Sequence, residues 1–242
     1  MSGRVLAVVP ALNEAATVAG VVAAIGDELG ADVLVVDDGS SDATATEAAK
    51  AGATVARHPF NLGVGVAMRT GFRHATRHGY DALVQVDADG QHPPAEAIPL
   101  VERVLSGDVD LVVGSRFAGP GPPPYPVSPL RRSAMRLLAR RVSRRLGAPI
   151  TDATSGLRAF GAAAIDRLAV AYPGAYLSDT VETLLLAGQW GLRVEELPVT
   201  MHPRAGGEAS AGSVRSTYHL ARILVVMALF DVRRPLHEEW GR

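Results

Sequence analysis

The sequence predicts an α/β protein built on a doubly wound, mostly parallel sheet, and three observations carry that reading. Short β-rich runs alternate with helical stretches of roughly ten to fifteen residues, the pattern of right-handed βαβ units. Polar and acidic turns follow several of those runs directly, which is where an open α/β sheet gathers its ligands. Across 242 residues, 48% are hydrophobic and 20% charged, enough apolar material for a substantial core and too little charge for a disordered chain.

The elements follow in order. Val5–Val9 is the first strand, halted by Pro10, and Asn13 with Glu14 opens an alanine- and valine-rich helix reaching about Leu29. Asp32–Val36 is the second strand and ends in Asp37-Asp38-Gly39-Ser40; Asp42 then caps a helix that stops at Gly52. Thr54–Arg57 is the third strand, and Asn61-Leu62-Gly63-Val64-Gly65 leads into a helix towards His78. Ala82–Val86 is a buried strand, followed at once by Asp87-Ala88-Asp89-Gly90-Gln91-His92. Pro94–Ser106 reads as a helix with proline in its first turn, and Leu111–Arg116 as a strand. From Gly119 to Pro129, six prolines and two glycines rule out regular structure. Leu130–Leu146 is helical, with Met135, Leu138, Val142 and Leu146 on one face. Asp152–Gly156 is a turn, Ser178–Trp190 a helix, and Val194–Val199 an edge strand or a pair of short ones. Arg204–Gly212 is glycine-rich, and a last helix spans about Val214 to Val232.

Several chemistries are excluded. There is no cysteine, so disulfides, thiol nucleophiles and cysteine-based zinc sites are absent. The glycines at 63 and 65 do not make a dinucleotide fingerprint, because Met68 takes its third position and the motif belongs after the first strand. No phosphate loop of the G-x-x-x-x-G-K type and no G-x-S-x-G nucleophile elbow occurs. A net charge of -1 gives no global pull towards nucleic acid. That charge is unevenly spread: no acidic residue lies between Leu111 and Thr151, an interval holding Arg116 and seven arginines from Arg131 to Arg145.

What remains is Asp87-x-Asp89-x-Gln91 at a strand end. Its ligands are oxygens only, which suits Mg²⁺ or Mn²⁺ rather than zinc. Two acids at a strand end are also a common turn or helix cap, and the same alternative stands for Asp37 and Asp38. His92 reads as a turn residue.

Taken together, Pro10-Ala11-Leu12-Asn13-Glu14, Val35–Ser40, Asn61–Gly65, Asp87–His92, Gly114-Ser115-Arg116 and Asp152–Arg158 resemble the family 2 glycosyltransferases. Within that family the likeness is to the polyprenyl-phosphate, or dolichol-phosphate-type, sugar transferases. The resemblance implies a GT-A fold and a metal-dependent, inverting transfer of a hexose from a UDP- or GDP-linked sugar. It implies one domain over 1–242, with a nucleotide-sugar-binding half (about 1–117), an acceptor half (about 118–213) and a C-terminal amphipathic helix (about 214–242). Residue by residue, it implies that Pro10, Asn13, Glu14, Asp37 and Asp38 line the base and ribose pocket, with Asn61 and Gly63 beside them. Asp87, Asp89 and Gln91 would hold the metal on the diphosphate. Arg116, Arg131 or Arg132, Ser133 and Arg204 would face donor or acceptor phosphates, and Asp152 and Arg158 would shape the sugar side. Leu12 stands where an aromatic residue is common beside the base, the arginine-rich helix fits the acceptor motif loosely, and Ala211 stands where dolichol-type enzymes tend to carry lysine.

The acceptor is a question of ionisation. A phosphate monoester is largely ionised at neutral pH, its second pKa being about 6, and can attack without a protein base. A hydroxyl acceptor needs a carboxylate base, for which Asp179 and Glu182 are the candidates; three apart on one helix face, they are equally a structural ion-pair partner. The arginines favour a polyprenyl phosphate, with a soluble hydroxyl acceptor on the same fold as the rival. A rival of another class is a nucleotide-sugar-binding module without turnover. The basic helix 130–146, if not merely a solvated face, and the apolar run Ile223–Phe230, flanked by Arg222, Arg233 and Arg234, suit an anionic membrane surface. The latter is too short to span a bilayer and is otherwise core, a homodimer interface or a contact with a membrane-protein partner. No secretory leader precedes Val5, so the expected location is cytoplasmic, peripheral to the inner membrane face.

Overall fold

A computed structural model describes residues 3–119, 129–173 and 179–201. Its frame is β1 (Val5–Ala11), which pairs in parallel with β2 (Asp32–Asp37) on one side and β4 (Ala82–Gln85) on the other. Both faces of β1 are buried, and this explains why it reads as a continuous apolar run rather than an alternating one. The strand does not stop at Pro10. Val8 C=O accepts from Val86 N–H, so Pro10, two residues on, points its missing donor to the side where β4 has already ended.

β3 (Thr54–Arg57) pairs in parallel with β2, and the seven strands run in the order β3-β2-β1-β4-β6-β5-β7. β5 (Leu111–Ser115) and the edge strand β7 (Val194–Pro198) are parallel to one another. Between β4 and β5 lies β6 (Arg158–Gly161), antiparallel to both. This strand is not anticipated from the sequence: an arginine opens it, a glycine closes it, and all four residues are buried, so no alternation marks it. The sheet is therefore mixed, and a strand from the second half of the chain is inserted between two from the first.

Helix α1 spans only Val18–Ala24 and continues as a π-type turn, Ile25–Leu29. The expected start at Asn13 is wrong for a local reason. Asn13 N–H donates to Ser40 Oγ at 2.9 Å and Glu14 N–H to Thr44 Oγ1 at 2.9 Å, which holds 13–17 as a loop across the end of β2. α2 (Thr44–Lys50), α3 (Val64–His78), a 3₁₀ turn (Pro94–Ala97) running into α4 (Ile98–Leu105), and α5 (Pro129–Leu146) match the expected helices. α6 (Ala162–Ala171) was not expected; α7 (Asp179–Gln189) was.

The main core lies between the sheet and α1 with α4, where Val9, Val35, Val84 and Val112 meet Val22, Leu100 and Val101. On α3, Phe72 packs edge-on to Phe160 of β6 at 4.9 Å between ring centroids, and against Tyr172, just beyond α6, at 5.1 Å. Such ring pairs contribute about 1 kcal/mol each beyond burial, so β6 is fastened from outside the sheet as well as by its ladder. On α5, Leu138, Ala139 and Val142 are buried while Arg136, Arg140, Arg141, Arg144 and Arg145 are exposed. Among the described residues, no helix is long and apolar enough to cross a membrane. Residues 120–128 of the proline-rich stretch, Arg204 and the segment 214–242 lie outside the described residues.

Candidate active site

The loops after β1, β2, β3, β4 and β5 and the segment entering β6 all lie at one edge of the sheet, because the parallel strands end there and antiparallel β6 begins there. The site divides into a cleft, an acidic motif and a charged pair.

The cleft, of about 380 Å³, is lined by Gly39, Ser40, Arg57, His58 and Pro59. Its walls are held by acids. Asp37, fully buried, accepts Ser40 N–H at 2.9 Å and lies 3.1 Å from Arg57 Nε; Arg57 also donates to Ser40 C=O at 3.0 Å. Asp38 accepts from Leu62 N–H (3.0 Å) and Gly63 N–H (2.7 Å) and bonds His58 Nδ1 (2.7 Å), whose Nε2 meets Thr70 Oγ1 at 3.0 Å. Neither acid caps α2; Asp42 Oδ1 receives Thr44 N–H at its start instead. Asn13, at φ +57°, accepts from Ser41 N–H at 2.9 Å. Gly39 has φ +79°, and a Cβ there would meet the carbonyl carbon of Phe60 at 2.5 Å, so the β2 and β3 loops touch only because residue 39 is glycine. Glu14 Oε2 accepts the Thr17 hydroxyl at 3.0 Å. The Asn61–Gly63 segment is thus shaped by Asp38, and Pro10 lies one residue short of the end of β1.

The acidic motif follows β4. Asp89 is buried and accepts Gln91 N–H at 3.0 Å, closing an Asx turn. Asp87 Oδ1 lies 3.4 Å from Gln85 Nε2, and its Oδ2 would stand 2.8 Å from a Cβ on Gly156, so the turn before β6 lies close against the Asp87 carboxylate. His92 lies in the bend after the motif but is buried: it is 4% exposed, and Nδ1 has no hydrogen-bond partner. Burial lowers its pKa, with Asp87 opposing that and Arg116 adding to it. Two carboxylates and the Gln91 amide are a hard-oxygen donor set suited to Mg²⁺ or Mn²⁺, with the remaining positions left to ligand oxygens and water. Among the described residues, no three or more His, Asp or Glu side chains are grouped to hold a metal without such help.

The charged pair is Arg116 with Asp152. Arg116 Nη2 donates to Asp152 Oδ1 at 2.8 Å and Nε to Oδ2 at 2.5 Å, and Nη2 also reaches Thr154 Oγ1 at 3.0 Å. Burial would raise the Asp152 pKa, but hydrogen bonds and charge from Arg116 outweigh it and hold the carboxyl below its ordinary value. Arg158 is 1% exposed and donates to three carbonyls, Ser155 (2.9 Å), Ala153 (2.9 Å) and Thr180 (2.6 Å). It ties the 152–156 turn to the first turn of α7 from beneath. Asp179 is likewise buried and accepts the Tyr172 hydroxyl at 3.2 Å; burial pushes its pKa up to about 6 against the opposing charge of Arg158, and Asp87 adds to the rise. Glu182, one turn on, is half-buried.

The structure therefore brings Asp87, Asp89, Gln91, Arg116 and Asp152 to one region and sets Arg158 and Asp179 behind it. Ser133 is exposed on α5; the side chains of Arg131 and Arg132 and all of Arg204 lie outside the described residues. Sequence reasoning missed Glu196, which bonds the backbone of Thr151 and Asp152, and His58, the partner of Asp38. Nothing in the local pattern marks either one, since each finds its partner across the fold.

The undecaprenyl-phosphate mannosyltransferase of Micrococcus luteus is 35% identical over 85% of this chain and 86% of its own length. The polyprenol monophosphomannose synthase of Mycolicibacterium smegmatis is 32% identical over 84% and 79%. Among solved structures, glucosyl-3-phosphoglycerate synthase from Mycobacterium tuberculosis in complex with Mn²⁺, UDP and phosphoglyceric acid superposes with a TM-score of 0.70 at 19% identity, covering 98% of this chain and 81% of that one. That likeness shares the architecture alone, the GT-A fold. The model of the family described as Glycosyl transferase family 2 matches residues 6–169, more than half of the chain, and with these relatives it makes the chain a glycosyltransferase of family 2.

Proposed function

We propose that the protein moves a hexose from a nucleotide-sugar to a polyprenyl phosphate, with inversion, using a divalent cation held by Asp87, Asp89 and Gln91. The observation that carries this reading is the meeting of an acidic, oxygen-only motif with the Arg116–Asp152 pair at one sheet edge, beside a cleft large enough for a nucleoside. The relatives named for polyprenyl and undecaprenyl phosphate support the acceptor.

The chemistry runs as follows. The cleft between Ser40 and His58 takes the base and ribose, with its walls fixed by Asp37 and Asp38. Asp87, Asp89 and Gln91 would hold a divalent ion, and the charge it would supply there is that needed against the departing diphosphate. Arg116, kept in orientation by Asp152, holds phosphate oxygens. An ionised acceptor phosphate attacks the anomeric carbon from the face opposite the diphosphate; the new C–O bond forms as the old one breaks, which inverts the configuration, and no proton need be removed. The exposed arginines of α5 meet the anionic lipid surface, each contributing roughly 1 kcal/mol.

The test is thermal stabilisation by UDP-glucose, UDP-N-acetylglucosamine and GDP-mannose with and without Mn²⁺, followed by transfer to undecaprenyl phosphate. Metal-dependent stabilisation and sugar transfer to the lipid phosphate are expected; stabilisation without turnover on any acceptor would favour a binding module. One observation favours a second reading, a soluble hydroxyl acceptor: Asp179, with its pKa near 6 and within the influence of Asp87, has the basicity of a general base. Transfer to a soluble hydroxyl compound, lost in Asp179→Asn, would put that reading first. Co-sedimentation with anionic and neutral liposomes, for wild type and an Arg136/Arg140/Arg144→Gln variant, tests the membrane contact; equal binding to both vesicle types would remove it.

A further inference from the structure

Two consecutive glutamates on the edge strand β7 have separate fates. Glu195 pairs with Arg103, Oε2 to Nε at 2.8 Å. Glu196 accepts four hydrogen bonds from the segment entering β6. Thr151 N–H lies 2.8 and 2.9 Å from its two oxygens, Asp152 N–H lies 2.7 Å from Oε1, and the Thr151 hydroxyl lies 2.8 Å from Oε2. A carboxylate accepts only, so the Thr151 hydroxyl proton points at Glu196. The 2.9 Å contact between Thr151 Oγ1 and Ser115 Oγ must then have Ser115 as donor, and Ser115 Oγ in turn accepts Phe117 N–H at 3.1 Å. One carboxylate thus fixes the proton direction of a chain that reaches both sides of Arg116: the Ser115–Phe117 backbone that carries it, and the Asp152 carboxylate that grips it.

We propose that Glu196 is a positioning residue for Arg116, setting the guanidinium on its phosphate-binding axis through Thr151 and Asp152. The inference rests on the proposed role of Arg116 towards phosphate. Charge-assisted bonds to two successive backbone N–H groups are strong and directional, and functional groups depend on such support for placement to within about 0.5 Å. Glu196 spends its acceptors on a turn that it does not adjoin in sequence, while its neighbours Leu197 and Pro198 pair with Gly114 and Ser115 of β5.

The test uses Glu196→Gln, which keeps the shape but sets an NH₂ against backbone donors, with Glu195→Gln as the control for weakening the same strand. With the donor of the panel above that the wild type turns over, Glu196→Gln should lower kcat/KM by about tenfold, the scale seen when an outer partner is lost. Glu195→Gln should leave it unchanged. The Arg116 Nε–H resonance should be sharp and exchange-protected in wild type and Glu195→Gln, and broadened in Glu196→Gln. Combining Glu196→Gln with Arg116→Gln should cost no more than Arg116→Gln alone. Additive losses, equal losses in the two glutamate variants, or wild-type turnover in Glu196→Gln beside an impaired Arg116→Gln would overturn the role of Glu196. Wild-type turnover in Arg116→Gln would instead overturn the phosphate role of Arg116, and this inference with it.

Discussion

On the β3-β2-β1-β4 wing, strand-end polar groups each accept backbone donors, Asp37 from Ser40 N–H, Asp38 from Leu62 and Gly63 N–H, Asn13 from Ser41 N–H, and the two acids add Arg57 and His58 as side-chain partners. On the β6-β5-β7 wing, charges are set against one another or buried outright: Arg116 on Asp152, and Arg158 beside Asp179 beneath the turn. The difference is energetic. Stranding a buried N–H costs about 1–3 kcal/mol, whereas removing one member of a buried charge pair costs about 3–5 kcal/mol, because a charge is left without compensation. The first wing is a rigid mould that tolerates piecemeal damage. The second is an electrostatic unit that fails together and answers to pH.

Between the wings stands Asp89, on the loop after β4, the acid we propose as a cation ligand. Asp89→Asn keeps an acceptor for Gln91 N–H but removes the charge a cation needs. Turnover should fall by about a thousandfold, the loss of several kcal/mol of charge stabilisation, with the melting temperature nearly unchanged. Activity assays with Mn²⁺ and thermal melts on the same preparation check it. A melting temperature that falls in step with activity would make Asp89 part of the mould.

The contrast sharpens at Arg158. Arg158→Met keeps much of the side-chain length, loses three carbonyl bonds and leaves Asp179 without its neighbouring cation, so stability should fall by about 3–5 kcal/mol in urea unfolding. Adding Asp179→Asn should restore part of the loss, since the stranded charge goes with it. A double variant no better than the single would mean that the carbonyl bonds, not the charge, account for the cost.

These two wings were unequally legible in the sequence. β1, β4 and the end of β2 are buried on both faces, so their apolar runs and the turns that close them stand out, and β3, an edge strand with its ends exposed, falls at Thr54–Arg57 as expected. Motif residues 87, 89, 91, 116 and 152 stand out in the sequence, but their neighbours do not. Arg158 opens a strand that no local pattern marks, and one of its three carbonyl partners, Thr180, comes from α7. Asp38 finds His58, and Asp152 finds Glu196, 44 residues away. Pairings of that kind are products of sheet order, and inserting β6 between β4 and β5 is the step that no local pattern encodes.

On the first wing, Asp38→Ala should cost about 2 kcal/mol, because Leu62 and Gly63 N–H and the His58 ring lose an acceptor together. The loss should be local: amide exchange of residues 58–63 should rise before global unfolding, and nucleotide affinity should drop with it. If affinity holds while stability drops, the cleft is not the nucleotide site.

The smallest expected effect lies in pH, and it separates two carboxylates of the second wing by sign. Burial raises the Asp179 carboxyl from 3.8 to about 6, with Asp87 adding to the rise and Arg158 and the Tyr172 hydroxyl opposing it. The folded state therefore holds this proton more tightly than the unfolded chain does. Its contribution to stability is fully present below about pH 4, declines as pH rises towards 6, and is constant above. Asp152, held below its ordinary value, does the reverse: its contribution is present above the usual carboxylate range and is lost only as pH falls through its lowered pKa. Between pH 4 and 6 these two do not cancel, because only Asp179 titrates in the folded state there. The melting temperature of wild type minus that of Asp179→Asn should accordingly fall by a few °C across that window and be flat from pH 6 to 8. Loss of the counter-charge to Arg158 shifts every point alike and leaves the slope intact. A difference independent of pH from 4 to 7 would mean that Asp179 is ionised throughout, and that the buried unit behaves like the mould across the sheet.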